Sequence, residues 1–371
     1  MSAAWGSGRR SPVLHYMGRW LPLSEQFVYN LVTGSKRRGI VISRNRPANR
    51  GTFPYRPVIS LNAIPSRSFP GLSERRMITA SLLTVVKIAR AGIIHVHHGY
   101  NVHDVEGVIP RGKVGFVVSF HGQDLIVMRR TYGADVFHSV LARADSVIVP
   151  SRFLAAHAIE AGADPGKIHV IPAGVNLRWF EPSPLPDGPP EVLFAGRFVE
   201  KKGLDVLLRA WPVVKERVPD ARLRLLGYGP LESLARSGGG DVVVEPTDPT
   251  RRATQVRDAI RAARAVVTPS RTSSDGDAES LLLVNLEAQA SGRPLVTTDH
   301  GGIPEFVAAG DTALLVPEND AEALADALTR VLLDHELAER MAAAGPMWAA
   351  RFDVRDCTAR VDDLYESLVA H

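Results

Sequence analysis

Two acidic residues in the second half of the chain have a spacing that would let them bind both ends of one polar ligand. Glu279 and Glu287 lie eight positions apart, and most residues between them are apolar. A helical rise of about 1.5 Å per residue would separate them by roughly 12 Å. Carboxylates accept hydrogen bonds from hydroxyl groups. The pair could therefore hold the hydroxyl groups of a sugar and of a ribose that are joined by a diphosphate.

A second segment could bind the diphosphate of such a ligand. An apolar run at 192–195 leads into Gly196 and Arg197, and Lys202 follows just before a helical pattern. Glycine lets the backbone approach a phosphate closely, and arginine can donate two parallel hydrogen bonds to it. Lysine adds a compact charge near a helix N-terminus, which itself favours anions. Arg197 and Lys202 are therefore predicted to stabilise a leaving diphosphate.

Strands followed by helices are predicted to position both segments. Residues 266–270 have the pattern of a buried strand, and residues 288–292 have that of the end of a short helix. Ligands of open α/β sheets bind in the crevice beyond the carboxyl ends of the strands. The loop after the strand would bring Glu279 to this crevice, and the following helix would bring Glu287 there.

Apolar runs alternate with helical patterns along most of the chain, which favours parallel α/β layers. In the first half, strands are predicted at 12–17, 93–97, 114–119 and 146–149. Ser24 is a candidate cap for a helix that starts at Glu25. Residues 44–72 are rich in Arg, Pro, Asn and Ser and are predicted to be irregular. This insert either covers a binding cleft or is an ordinary loop.

Six motifs occur in the order that is typical of one enzyme family. They are Ser-Phe-His-Gly-Gln-Asp at 119–124, Ile-Pro-Ala-Gly-Val-Asn at 171–176, Gly196-Arg197 with Lys202-Gly203, Gly-Tyr-Gly-Pro at 227–230, the Glu279 and Glu287 pair, and Gly-Gly-Ile-Pro-Glu at 301–305. Over about residues 90–371 the chain thereby resembles retaining glycosyltransferases of family 4. The Ser-Glu-Gln-Phe stretch at 24–27 is similar to a subgroup found in exopolysaccharide assembly.

The resemblance implies an α/β structure of the GT-B type. In this fold two Rossmann-like lobes face each other across a cleft, and the C-terminal helix crosses back to the N-terminal lobe. Residues 1–175 would form the acceptor-binding lobe, 176–190 the linker and 191–347 the nucleotide-sugar-binding lobe. Residues 348–371 would cross back. A chain of 371 residues has the length expected for two such domains.

The resemblance also implies roles for individual residues. The donor would be a nucleoside-diphosphate hexose, with Glu279 on its sugar and Glu287 on its ribose. His121 precedes a glycine after a predicted strand, so it should project into the cleft, where the family's histidine contacts the donor sugar. The predicted catalytic residues are His121, Arg197, Lys202 and Glu279. The predicted donor-binding residues are Gly196, Gly227, Gly229, Ser280, Leu281, Leu282, Leu283, Glu287, Gly301 and Gly302.

Members of this family retain the anomeric configuration by a front-face route, in which the leaving phosphate helps to deprotonate the acceptor. No protein nucleophile and no cofactor are then expected. Asp124 would either orient His121 or cap the helix that follows it. Two residues depart from the family pattern, because Ser280 replaces the usual glycine and Leu282 replaces a proline or small residue. Both changes could reshape the pocket for the donor sugar.

Two groups of residues have the composition of metal ligands. Asp275 and Asp277 form the Asp-x-Asp pattern with which enzymes of the other main glycosyltransferase fold hold a divalent cation. A turn without metal is favoured here, because Arg197 and Lys202 already supply positive charge. The histidines at 95, 97 and 98 include two on one face of a strand, but no cysteine or spaced carboxylate completes a zinc site. No metal is expected.

The two halves of the chain carry opposite charge. Residues 1–175 contain 22 Lys and Arg against 9 Asp and Glu, whereas residues 176–371 contain 22 against 31. The basic residues of the first third are Lys36, Arg37, Arg38, Arg44, Arg46, Arg50, Arg56, Arg67, Arg75 and Arg76. They could attract an anionic membrane surface or a phosphorylated acceptor, or the two lobes could simply attract each other. Nucleic acid is not expected, because no aromatic residues are interleaved to stack on bases.

The predicted partners are a nucleotide sugar and a glycan, lipid-linked or small-molecule acceptor. Cys357 is the single cysteine and cannot form an internal disulfide, which fits a reducing compartment. No apolar run reaches the roughly 20 residues of a membrane span, and no apolar segment of a signal peptide follows Arg9 and Arg10. These features predict a cytoplasmic enzyme, with peripheral contact at the inner membrane face as an addition.

Other classes of function remain open. A phosphorylase or a nucleotide-sugar epimerase could use the same fold, and so could a scaffold that has lost catalysis, although the five intact residues His121, Arg197, Lys202, Glu279 and Glu287 argue against the last. A hydrolase could use two acids as proton donor and nucleophile, but it would have no use for a phosphate clamp. The glycines at 227 and 229 lack the third glycine of a dinucleotide fingerprint, and no P-loop motif occurs.

Overall fold

The computed structural model describes residues 11–22, 25–63, 74–108, 114–248 and 251–369. Within these residues the chain forms two parallel sheets of seven and six strands, with helices on their faces. The central strands are short apolar runs that are largely buried on both sides, as expected for parallel sheets covered by helices, and the strands at the sheet edges are more exposed. The expectation of two α/β lobes is confirmed.

The first sheet has the strand order β3-β2-β1-β4-β5-β6-β7. Its strands are β1 Val13–Met17, β2 Gly39–Ser43, β3 Val58–Ser60, β4 Ile93–His97, β5 Gly115–Ser119, β6 Ser146–Val149 and β7 Ile168–Val170. Its helices are α1 Gln26–Gly34, α2 Glu74–Ala89, α3 Val102–Val105, α4 Gln123–Tyr132, α5 His138–Leu141 and α6 Arg152–Glu160. Strand order reverses between β1 and β4, so the crevice of this lobe lies beyond their carboxyl ends.

The second sheet has the order β10-β9-β8-β11-β12-β13. Its strands are β8 Glu191–Arg197, β9 Arg222–Tyr228, β10 Val242–Pro246, β11 Ala265–Thr268, β12 Leu295–Thr298 and β13 Ala313–Val316. Its helices are α7 Leu204–Arg217, α8 Glu232–Arg236, α9 Arg252–Ala262, α10 Leu283–Ala290, α11 Ala321–Leu333 and α12 His335–Ala349. Strand order reverses between β8 and β11. Arg197 ends β8 and Glu279 follows β11, so both flank this crevice.

The last helix, α13 Val354–Val369, packs on the first sheet although it follows the second in sequence. Val361 and Tyr365 of α13 share a hydrophobic cluster with Val13 and Ile93. The crossing predicted from residue 348 onward starts later, because α12 continues to Ala349 and a turn at Ala350–Phe352 precedes α13. The C-terminal helix does cross back, as predicted.

Two basic residues of the first third are paired with acids of the protein itself. Arg37 is buried and donates hydrogen bonds to the Ser11 carbonyl at 3.0 Å and to Glu366 of α13 at 2.7 Å. Arg44 pairs with Asp104 at 3.4 Å. Arg37 is therefore not available to an anionic surface, because its charge holds the returning helix.

The insert at 44–72 was predicted to be irregular, and this was wrong for one part of it. Val58–Ser60 forms the edge strand β3, which pairs with β2, and a 3-10 turn follows at Leu61–Ala63. The strand is three residues long and lies among prolines and arginines, so its pattern is too short to stand out. Residues 64–73 and Ser24, the predicted helix cap, lie outside the described residues.

A glycine at the start of α7 gives a test of this fold. Gly203 has φ +64°, and a Cβ atom there would lie 1.8 Å from the Pro269 carbonyl oxygen. We expect Gly203→Ala to lower the free energy of unfolding by roughly 3 kcal/mol, from the left-handed backbone plus the overlap. Urea unfolding measures this. Gly188→Ala is the matched control, since Gly188 has φ +90° with nothing within 4 Å and should lose only about 1 kcal/mol. Equal losses in both variants would contradict the overlap.

Candidate functional site

A cavity of about 440 Å³ lies between the two sheets, beyond the carboxyl ends of their strands. Nearly two thirds of the predicted site residues line it. They are His121, Gly196, Arg197, Lys202, Glu279, Leu281, Leu282, Leu283 and Glu287. Phe27, Asn30 and Pro150 complete the wall on the side of the first sheet. The structure thus brings the histidine of one lobe to the acids and cations of the other.

Three basic residues gather at one end of the cavity. The Lys202 ammonium lies 2.7 Å from the Glu279 carboxylate, and the Lys201 ammonium lies 2.8 Å from Asp277 and 3.8 Å from Glu279. Arg197 also lines the cavity, and among the described residues its guanidinium has no hydrogen bond or ion pair. Two of the three cations are thus paired with acids, and the third faces the open cavity.

The charges of these groups depend on one another. Burial would raise the pKa of Glu279, but the positive charges of Lys201 and Lys202 outweigh it and lower this pKa to about 2. Burial also lowers the pKa of Lys202, although Glu279 opposes this effect. Lys201 has a raised pKa: burial would lower it, but Glu279 and Asp277 outweigh that effect. Glu279 is therefore a carboxylate at neutral pH, with its acceptor oxygens held in place.

Sequence reasoning missed Lys201 and gave Asp277 too small a role. Asp277 is buried and is the nearest partner of Lys201. Asp275 accepts hydrogen bonds from the Ser273 hydroxyl at 2.5 Å and from the Asp277 amide at 3.1 Å, which makes the predicted turn. The Asp-x-Asp pattern thus forms a turn, and its second acid, Asp277, forms an ion pair with Lys201. The doubled lysine at 201 and 202 was the available signal, but it did not show which acid each would meet.

Glu287 lies in the second turn of α10 and lines the same cavity as Glu279. The two acids are not on one continuous helix, since α10 starts only at Leu283 and Leu282 before it is extended. The eight positions between Glu279 and Glu287 therefore consist of a loop followed by the start of a helix, so the distance of roughly 12 Å calculated for a continuous helix does not apply. Trp179, Phe180 and Val256 line the cavity as well.

Five predicted donor-binding residues do not line the cavity: Ser280, Gly227, Gly229, Gly301 and Gly302. The glycines instead allow close approach of backbones, since a Cβ atom at Gly227 would lie 1.9 Å from the Gly196 carbonyl oxygen and one at Gly301 would lie 2.2 Å from that of Glu279. The Gly302 amide donates to the Glu279 carbonyl at 2.8 Å. These residues support the lining segments from behind, and their direct contact with a donor stays a prediction.

His121 faces the cavity from the first lobe. Its ring lies 4.6 Å from that of Phe27 and 4.5 Å from that of His98, and its buried Nε2 atom has no hydrogen-bond partner among the described residues. Burial, and then the charge of His98, hold its pKa well below the usual range. His121 is therefore a neutral imidazole with one nitrogen available to a ligand.

Asp124 binds the main chain of the loop that carries His121. It accepts hydrogen bonds from the amides of His121 and Gly122, each at 2.9 Å, and from the Gly99 amide at 2.7 Å. These amides precede α4 and belong to the loop that carries His121, so the bonds fit the predicted orienting role. Asp124 positions the backbone of His121.

The other histidines of the first lobe are buried beneath α13. His95 contacts the Tyr365 hydroxyl at 2.5 Å and the Ser119 hydroxyl at 2.6 Å, and His15 contacts His97 at 3.0 Å. Among the described residues, His15, His95 and His97 are the only group of three close enough to share a metal ion. Both nitrogens of His95 are used by hydroxyl groups, so hydrogen bonding accounts for the burial of this group. His95 is fully buried and is not among the residues that line the cavity.

Comparisons with known proteins agree with this architecture. The family model described as "Glycosyltransferase Family 4" matches residues 24–179, and the one described as "Glycosyl transferases group 1" matches residues 189–334. The chain is 36% identical to a putative colanic acid biosynthesis glycosyltransferase, WcaL, of Escherichia coli over 230 residues, which is 60% of this chain and 55% of that protein. It thus spans about half the length of the first curated relatives that it matches.

One relative is covered more fully. The chain is 31% identical over 275 residues to a GDP-mannose-dependent alpha-(1-6)-phosphatidylinositol monomannoside mannosyltransferase of Mycobacterium tuberculosis, covering 66% of this chain and 71% of that protein. Among solved structures, Anabaena Alr3699/HepE in complex with UDP and glucose superposes with a TM-score of 0.79 at 17% identity, over 96% of this chain and all of that one. A glycosyltransferase from Rickettsia africae gives 0.76 at 18% identity, over 98% and 99%. These two structures share the fold.

Proposed function

The chain belongs to glycosyltransferase family 4, and from that premise we propose that it moves a hexose from a nucleoside-diphosphate sugar to a hydroxyl group of an acceptor, with retention of configuration. The observation that carries this proposal is the single cavity in which Arg197, Lys201 and Lys202 meet the acids Glu279 and Glu287. The cations can bind the diphosphate of a nucleotide sugar, and the acids can accept hydrogen bonds from the hydroxyl groups of its sugar and its ribose.

The proposed mechanism follows from the charges that develop in the reaction. When the bond between the anomeric carbon and the diphosphate breaks, positive charge forms on the sugar ring and negative charge on the leaving phosphate. Fixed cations aimed at that phosphate lower the barrier. Arg197 is open to the cavity, and Lys202 would exchange its contact with Glu279 for one with the phosphate.

The remaining groups position the donor and acceptor. Glu279, held as a carboxylate by Lys201, accepts hydrogen bonds from hydroxyl groups of the donor sugar, and Glu287 does so from the ribose. The free Nε2 atom of His121 faces the sugar from the other lobe. The leaving phosphate oxygen takes the proton of the acceptor hydroxyl on the same face of the ring, which retains the anomeric configuration. No protein nucleophile enters this route.

We also propose that transfer needs no metal ion or other cofactor. The Asp277 carboxylate, which a metal-dependent enzyme would offer to a cation, is bound by Lys201 at 2.8 Å. Lys201, Lys202 and Arg197 would supply the positive charge that a metal ion would otherwise bring. Activity that persists in excess chelator supports this point, and activity lost in chelator and restored by Mg²⁺ or Mn²⁺ contradicts it.

The acceptor is proposed as a glycan, a lipid-linked glycan or a small molecule. The matched relatives are named for colanic acid biosynthesis and for a phosphatidylinositol mannoside, which supports the first two. Within the described residues no helix has both the length and the apolar character to cross a bilayer. Location in the cytoplasm and contact with an anionic membrane surface stay predictions.

The decisive experiment is a thermal-shift screen of UDP, GDP and ADP, followed by assay of the matching nucleotide sugars. A ligand that binds only the folded protein raises its melting temperature. We expect one nucleoside diphosphate to stabilise the protein and to be released from its sugar only when an acceptor is added, which an epimerase would not do. If none of the three stabilises the protein, the proposed function is wrong.

Glu287 is expected to act on the nucleotide rather than on the sugar. Glu287→Gln should weaken binding of the nucleoside diphosphate by roughly tenfold, because a charge-assisted hydrogen bond to the ribose becomes a neutral one. Titration calorimetry with the diphosphate measures this. Glu322→Gln, an exposed acid on α11, is the matched control and should bind normally. A variant that binds nucleotide normally but changes its choice of sugar would refute the assignment.

A further inference from the structure

The loop that carries Glu279 leaves the second sheet and contacts the first lobe. We call residues 276–282 the donor loop. Ala278 of this loop is 7% exposed and belongs to the hydrophobic cluster of the first lobe, together with Phe120 and Leu154. The guanidinium of Arg130 on α4 lies over the backbone of Gly276, where a Cβ atom would overlap it. The donor loop is therefore packed by both lobes.

Ser280 adds a hydrogen bond between the lobes. Its hydroxyl lies 2.9 Å from the hydroxyl of Ser151, and both residues are buried. Ser151 caps α6 by accepting a hydrogen bond from the Leu154 amide at 3.2 Å. A hydroxyl group can donate one hydrogen bond while it accepts another, so Ser151 can bind α6 and Ser280 at once. The residue that replaces the family's usual glycine thus faces the other lobe and not the cavity.

Glu305 makes a second connection to the same helix. Its carboxylate accepts hydrogen bonds from the amides of Arg152 at 2.7 Å and Phe153 at 2.8 Å. These amides belong to the first turn of α6, where backbone N–H groups have no partner within the helix. The positive end of the helix dipole strengthens such contacts with a carboxylate. An acid of the second lobe therefore accepts the hydrogen bonds of two unpaired amides at the start of a helix in the first lobe.

Both connections meet the backbone of Glu279. The Gly302 amide donates to the Glu279 carbonyl at 2.8 Å, and His300 Nε2 accepts from the Glu279 amide at 3.1 Å. A Cβ atom at Gly302 would lie 2.1 Å from the Ser280 carbonyl and 2.9 Å from the Ser151 hydroxyl. The donor loop, the segment that contains Gly302 and the start of α6 are therefore in contact with one another. They meet next to the backbone of Glu279, which is proposed to bind the donor sugar.

We propose that Ser280 and Glu305 are positioning residues which join the donor loop to α6, so that Glu279 reaches its sugar-binding position only when the two lobes are closed. This inference rests on the proposed function. Opening the cleft would break the Ser280 and Glu305 contacts and release the donor loop from the cluster around Ala278. Closure around the donor would then place Glu279 and exclude water from the leaving group in the same movement.

The test compares Ser280→Ala and Glu305→Gln with the parent protein by the distance between the lobes. Labels at Tyr132→Cys in α4 and Met347→Cys in α12 use two of the most exposed side chains of the two lobes, at 70% and 78%. Cys357 is buried with a pKa raised to about 11, so it reacts poorly with the labels. Each variant should show a larger share of the long interlobe distance, and KM for the donor should rise about fivefold with a smaller change in kcat.

The partner residue and a matched control separate positioning from mere stability. The double variant Ser151→Ala/Ser280→Ala should raise KM little more than the single ones do, because one contact is lost in all three. Ser43→Ala removes a buried hydroxyl that bonds the Trp20 amide within one lobe, and it should change neither distance nor KM. A lower melting temperature with unchanged distance and KM in Ser280→Ala and Glu305→Gln overturns the inference. If the parent protein binds no nucleoside diphosphate, the proposed function fails instead.

Discussion

Lys202→Ala is expected to lower kcat by about 10²–10³-fold, the loss seen when an enzyme is deprived of one preorganised electrostatic contact at its reacting centre. Lys202 is the partly buried cation whose present partner, Glu279 at 2.7 Å, would turn to the donor sugar. Without it the departing diphosphate would keep Arg197 but lose the point charge of Lys202. Steady-state assays with the nucleotide sugar identified by the thermal-shift screen measure this effect.

Lys215→Ala is the matched control for this change. Lys215 donates to the Ala221 carbonyl at 3.1 Å and pairs with Asp241, in the same lobe but away from the cavity, so its loss should leave kcat unchanged. Arg197→Ala should lower kcat by at least tenfold with little loss of stability, because the guanidinium has no hydrogen bond or ion pair among the described residues. Near-normal turnover in both Lys202→Ala and Arg197→Ala would refute the phosphate clamp.

Glu279→Gln is expected to lower kcat/KM by about 10²-fold and to change how stability depends on pH. The folded pKa of Glu279, about 2, lies below its ordinary value of 4.5. The ionised carboxylate therefore stabilises the fold at a pH above 4.5, and this contribution is lost as the pH falls towards 2. At pH 7 the variant should be less stable by about 3 kcal/mol, since 2.5 pKa units correspond to that free energy.

Urea unfolding of both proteins between pH 7 and pH 3 measures this. The difference in the free energy of unfolding should be constant above about pH 5 and should shrink below it. At low pH the Glu279 carboxylate of the parent protein becomes protonated and its stabilising contribution is lost, whereas the variant lacks this carboxylate at every pH. A difference that stays constant down to pH 3 would show that Glu279 is not held as a carboxylate by Lys201 and Lys202. Glu322→Gln, at an exposed position, should follow the parent protein at every pH.

The fold was largely predictable because its signals are local. The buried run at 192–195 falls within β8, and the runs at 93–97 and 146–149 match β4 and β6. The apolar composition of such a run predicts a buried strand, and this prediction does not require knowing which elements pack against it. Prediction was wrong at Val58–Ser60, where three residues form an edge strand only because β2 offers a partner. The sequence also did not show that His95 would lie beneath a helix that returns from the far end of the chain.

The sequence by itself determined the residue types and the order of the candidate site: two acids, an arginine and a lysine on strand–loop–helix units, which any parallel sheet would bring to one edge. Only the tertiary structure decided the partners, with Lys201 on Asp277, Lys202 on Glu279, and Ser280 turned from the cavity to Ser151 of the other lobe. The physical reason is that the two kinds of information differ in their separation along the chain. Hydrophobic periodicity and glycine positions determine local structure, whereas these ion pairs and hydrogen bonds join groups that are close in space and mostly distant in sequence.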